Sequence, residues 1–203
     1  MTLTQAQLDA LWDFGDAAAS EARLRVATAT ADAGERAELE TQVARALGLQ
    51  DRFAEGDRVL DAIHSDAAVV RTRVALERGR LRNSEGDPGA AVPLFVAAAD
   101  AAASADLLFL RIDALHMLAI ADADGSAGWT AEALALLEDT DDPRTLRWRV
   151  ALHNNAGWTH FDAGRFTEAV AEFERARDAA ERWGTPQQVR WAEEALSEAR
   201  AAL

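Results

Sequence analysis

One short pattern recurs five times along this chain and narrows the folds open to it. A Gly or Asp is followed five residues on by a small residue. A large apolar residue comes nine on, and a small or apolar one twelve on. The five runs are Gly15/Ser20/Leu24/Ala27, Asp51/Gly56/Leu60/Ile63, Gly86/Ala91/Phe95/Ala98, Gly128/Ala133/Leu137/Thr140 and Gly164/Ala169/Phe173/Ala176. Their starts lie 36, 35, 42 and 36 residues apart. A fixed period of this length marks a repeat architecture. The spacing is that of a helical hairpin. The small residue lets two helices approach, the large one fills the gap a turn later, and the third returns to the same face. The Gly or Asp marks the turn, where positive φ is tolerated.

Upstream of each turn lies a second helical stretch with apolar residues at helical spacing, such as Leu108, Ile112, Leu115 and Ala119. The resulting map pairs helices over residues 4–14 with 17–33, 35–49 with 52–64, 66–84 with 88–104, 106–124 with 129–139, and 143–162 with 166–183. A last helix starts after Thr185 as N-cap, with Pro186 in its first position. Pro93 falls early in its helix, so that helix is expected to start late or to kink. No strand and no inter-domain linker is expected.

The run from Leu152 to Ala176 resembles a tetratricopeptide repeat, whose pattern is W-x₂-L-G-x₂-Y, then A-x₃-F, then P. Ala156-Gly157 falls on the L-G pair, Ala169 on the A and Phe173 on the F, while His153 and His160 stand at the Trp and Tyr positions. The resemblance covers most of residues 35–183. It implies an all-α, right-handed superhelix of about five hairpins in a single domain over 1–203. Residues 1–34 would be a capping hairpin, 35–183 the repeats and 185–203 a capping helix. It also implies a concave groove lined by the first helix of each hairpin, in which a protein partner lies extended. The groove-facing set in the fifth hairpin would be Asn154, Asn155, Trp158, Phe161 and Asp162. The same registration turns Arg45, Arg73, Arg80 and Asn83 inward. An Asn amide both donates and accepts, which suits a peptide backbone, and Arg presents a planar fork to carboxylates. An acidic partner segment is therefore expected. The competing readings are that the Asn pair only caps or solvates its helix, and that the Arg side chains pair internally with Glu38, Glu77 or Asp51. No Lys is present to build the two-Lys carboxylate clamp of chaperone-binding relatives.

Composition removes other classes. All 21 basic residues are Arg, against 35 acidic ones, for a net charge of −14. That field repels phosphate, so neither nucleic acid nor an anionic membrane is an expected partner. There is no Cys, hence no disulfide and no thiolate chemistry. The most apolar stretch, Ala90 to Leu110, is interrupted by Pro93, Asp100 and Asp106 and is no spanning helix. The start of the chain lacks a basic region and an apolar core, so a cytoplasmic location is expected. An Arg-only, Ala-rich chain suggests a high-GC bacterial source.

Candidate chemistry is thin. His116, His153 and His160, with Asp162, sketch a metal site, but the last two stand at packing positions of the repeat. Hydrogen-bonded, partly buried side chains are the favoured reading, with no metal and no cofactor. Acid pairs such as Asp122/Asp124 and Glu193/Glu194 fall in turns or on exposed faces. Gly125-Ser126-Ala127-Gly128 lacks the Lys of a phosphate loop. No enzyme is expected. A peptide or small-ligand sensor is the alternative to an interaction scaffold, and a metal-dependent enzyme the more distant one. Most of the six Trp are read as inter-helix packing.

Overall fold

The computed structural model describes residues 3–203. Those residues are all-helical, 80% helix with no strand. The chain divides into two compact units, Met1–Ala114 and Leu115–Leu203.

The first unit holds α1 (Gln5–Leu11), α2 (Ala17–Thr30), α3 (Ala33–Gly48), α4 (Phe53–Asp61), α5 (Ala68–Ser84), α6 (Pro88–Ser104) and the start of α7 (Leu108–Ala121). Side chains cap several of these helices, each meeting amide groups that a helix start leaves unpaired. Thr4 and Gln7 form a capping box on α1, and Asp16, Asp32 and Asp87 cap α2, α3 and α6. Within this unit α3 packs on α2, α4 and α5, and α5 packs on α6. The small and large residues of the repeat lie at those contacts. Ser20, Leu24, Leu60, Ala91, Phe95 and Ala98 are all buried.

The second unit holds the rest of α7, then α8 (Ser126–Leu136) with a 3-10 turn at Leu137–Asp139, and α9 (Pro143–Leu146). It continues with α10 (Trp148–Asp162), α11 (Phe166–Trp183) and α12 (Pro186–Ala201). Thr185 and Gln188 form a capping box and Pro186 opens α12, as its sequence predicts. Ala195, Leu196 and Ala199 of α12 close over Ala169 and Phe173 of α11.

The turns are built alike. Gly86 and Gly164 sit at φ 85° and 72°, and Asp51 and Asp106 at φ 58° and 55°. In each case the next amide reaches back five residues: Arg52 N to Leu47 O, Asp87 N to Arg82 O, Leu107 N to Ala102 O and Arg165 N to His160 O, at 2.9–3.0 Å. This is the Schellman closure, in which a left-handed residue lets the chain leave the helix.

Three details depart from the sequence map. Gly128 lies inside α8, and the turn comes earlier, where Asp122 accepts from the Gly125 amide (3.2 Å) and from Trp129 Nε1 (2.8 Å). The helix expected over 143–162 is divided at Arg147, whose Nε donates to the Trp183 carbonyl (3.0 Å). The helix carrying Pro93 does not start late. It starts at Pro88, and Pro93 lies within it and is exposed. The carbonyl that loses its donor belongs to Gly89, also exposed, so water can serve it.

Candidate functional site

In the first unit, Arg73, Glu77 and Arg80 recur at helical spacing on one face of α5. Arg73 (5% exposed) lies with its Nε 3.5 Å from Oε2 of Glu38 (2% exposed) on α3. Arg80 donates to Glu77 Oε1 (2.6 Å) and to Asp113 of α7. Three cations, counting Arg45, thus sit among three buried carboxylates. Burial pushes the Glu38 carboxyl up, with Arg73 opposing, and pulls the Arg73 guanidinium down. Burial also works against charge on Arg80, yet Asp113 and Glu77 hold it above its usual value. Buried ions persist only when paired in this way.

Arg45, near the end of α3, is different. Its guanidinium carbon lies 5.6 Å from the Trp12 ring centroid and 5.2 Å from that of Phe14. No carboxylate among the described residues comes within ion-pair distance of it. Burial, and then the neighbouring Arg80 charge, pull its pKa down. Asn83 lies partly exposed at the last turn of α5, away from these pairs.

In the second unit, Val150, His153 and Gly157 of α10 are buried, while Asn154, Trp158 and Phe161 on another face are partly exposed. Trp158 meets the rings of Phe161 (5.4 Å) and Phe173 (5.1 Å) edge-on, a favoured aromatic geometry. Asn155 Nδ2 lies 2.8 Å from His116 Nε2, so this amide is tied to α7. The Asn154 amide makes no side-chain hydrogen bond among the described residues. Asp162 is exposed at the C-terminal end of the helix.

The three histidines of the candidate metal site are each engaged. His116 meets Asn155, buried His153 meets Glu172 Oε2 (2.8 Å), and His160 Nδ1 accepts from Arg165 Nε (2.9 Å). The His153 hydrogen bond, aided by Arg175, holds the Glu172 carboxyl below its usual value. No group of three or more His, Cys, Asp or Glu placed to hold a metal occurs among the described residues.

The structure brings Arg45, Arg73 and Arg80 into one charged cluster, and sets Asn154, Trp158 and Phe161 on one side of α10. It assigns the internal partners of Arg73 and Arg80 as Glu38, Glu77 and Asp113; Asp51 forms no ion pair among the described residues. Trp191, expected to pack, is instead 56% exposed on α12. Sequence reasoning missed the Trp12–Phe14 pair. Its one available signal was two aromatic residues just after a short helix. It also missed a cleft of about 490 Å³ bounded by Val43, Leu47 and Val59. Arg25 and Arg58 at that cleft are matched by Glu40 and Glu55, so its charges favour no ligand sign.

Compared with protein-family models and with curated proteins, the chain matches none.

Proposed function

We propose that this chain is a tetratricopeptide-like binding module, its hairpins wound as a right-handed superhelix. It holds an extended segment of a partner protein against the first helices and performs no chemistry of its own. The observation that carries this reading is the partly exposed side of α10. Asn154 stands in the middle of a helix with no partner for its amide among the described residues, one turn from the partly exposed ring of Trp158. Asn lowers helix stability at such a position and gains nothing back locally. An amide and an aromatic edge in succession suit a peptide main chain and one apolar side chain.

The test is binding of partners captured from the source organism to Trp158→Ala and Asn154→Ala. Both variants should keep the helical circular dichroism of the parent. Loss of a central Trp anchor should weaken affinity by roughly thirtyfold, a cost of about 2 kcal/mol. One lost Asn–backbone hydrogen bond should weaken it by about three- to tenfold. A partner bound equally well by both variants would remove α10 as the binding face.

A further inference from the structure

We propose that Trp12, Phe14 and Arg45 form a recognition site for a peptide in which an acidic side chain neighbours an aromatic one. The Phe14 ring receives the aromatic side chain, and the Arg45 guanidinium receives the carboxylate. The inference rests on the peptide-binding reading above but lies in the other compact unit, so the two can fail separately.

Three features of the site point to a ligand. Phe14 is 64% exposed, unusual for so large an apolar side chain, and its ring stacks parallel on Trp12 at 4.8 Å with 4° between planes. The shelf is held in place. Trp12 Nε1 donates to Oε1 of buried Gln42 (3.1 Å). The following loop is tied by Ser20 Oγ accepting from the Asp13 amide (2.8 Å) and Asp13 Oδ1 accepting from the Gly15 amide (2.9 Å). An aromatic surface ordered before binding loses little entropy when it is covered.

The third feature is charge. Glu77 and Asp113 hydrogen-bond to Arg80 and Glu38 lies against Arg73, so these carboxylates reach Arg45 only through space. Arg45 alone in this cluster meets rings in place of an oxygen. A guanidinium keeps its charge at any physiological pH. These ring contacts leave its N–H groups, which lie in the guanidinium plane, without a hydrogen-bond acceptor among the described residues. A carboxylate arriving in that plane would complete the site, since Arg73 and Arg80 already have their carboxylates and Arg45 does not.

The test titrates two capped peptides, Ser-Glu-Phe-Glu-Ser and Ser-Gln-Phe-Gln-Ser, into the isotope-labelled full chain. It follows the Arg45 Nε–H and Trp12 Nε1–H resonances. The Glu peptide should move both signals and bind at least about fivefold more tightly than the Gln peptide, because its contact to Arg45 is charge-assisted. Arg45→Gln should remove most of that preference, Phe14→Ala should weaken the binding of both peptides, and Trp158→Ala should leave affinity and preference intact. Phe14 is exposed, so its variant keeps the test open should Arg45→Gln disturb the buried ion pairs. Equal binding of the two peptides, no binding of either, or indifference to Phe14→Ala overturns the proposal. Binding weakened only by Trp158→Ala leaves the α10 face as the site and removes this one.

Discussion

Two hairpins of this molecule, α5/α6 and α10/α11, are built on the same packing and carry different surfaces. Gly79, Gly86, Ala91, Phe95 and Ala98 recur 78 residues later as Gly157, Gly164, Ala169, Phe173 and Ala176. A methyl group added at Gly79 would lie 2.5 Å from the Phe95 ring, and one at Gly157 would lie 2.5 Å from the Phe173 ring. Each glycine is thus the recess for the other helix's phenylalanine. The remaining positions diverge. Glu77, Arg80 and Asn83 become Asn155, Trp158 and Phe161, and a charged face becomes an amide-and-aromatic one. Ala75 and Leu94 line a small hollow, whereas their counterparts His153 and Glu172 form a hydrogen-bonded pair. A helical hairpin therefore needs only its contact line and its turn, and every other position is open to recognition.

The largest expected effect is on the shared contact line. Phe95→Ala and Phe173→Ala should each destabilise the protein by about 3–5 kcal/mol in denaturant unfolding. Gly79→Ala and Gly157→Ala should act in the same sense at about 1–3 kcal/mol, through overpacking. Combining Gly157→Ala with Phe173→Leu should recover part of the loss. Strict additivity of the two substitutions would break the glycine–phenylalanine account.

The divergent faces should respond unequally. Arg80→Met strands Glu77 and Asp113 in the interior, and breaking a buried pair of this kind costs about 3–5 kcal/mol. Its counterpart Trp158→Leu strands no charge and should cost less in stability. Equal losses at the two positions would mean that the ion pairs contribute no more than ring packing does.

The acid response should differ as well. Glu172 titrates below its ordinary value of 4.5 in the folded state, so the stability it adds is present above that value. That stability is lost as pH falls through the folded pKa. Glu38 titrates above 4.5, so charging it costs stability as pH rises out of that range, and acidification relieves the cost. Thermal melts between neutral pH and pH 3, taken on Glu172→Gln, should show a shallower acid loss than the parent. A variant that follows the parent curve would remove the His153–Glu172 bond from the acid response.

The smallest effect concerns Asn154. Asn154→Ala should raise stability by up to about 0.7 kcal/mol, because Ala is the better helix former and no side-chain bond is lost. A loss of stability would show that the amide has a structural partner, and would weaken the binding role given to it.

Helix boundaries were legible because their signals are local. Thr185-Pro186, Asp87-Pro88 and the left-handed glycines act over a few residues, and the observed helices start or end where these stand. Gly128 misled because Asp122, six residues before it, makes the turn through its own side chain. Trp191 misled because its type favours burial, while its angular position on α12 turns it outward.

The sequence by itself determined that this chain forms paired helices. A small residue, a large one and a turn residue at fixed spacing leave few other ways to bury Ala91, Phe95, Ala169 and Phe173. Only the tertiary structure decided which charges meet. Arg73 had Glu38, Glu77 and Asp51 within sequence reach and lies against Glu38, 35 residues away. Arg45 was placed beside Trp12 and Phe14, more than 30 residues before it. Helix formation depends on neighbours along the chain. A salt bridge depends on the angle at which two helices cross and on a few ångströms of side-chain reach, and the period of the pattern specifies neither.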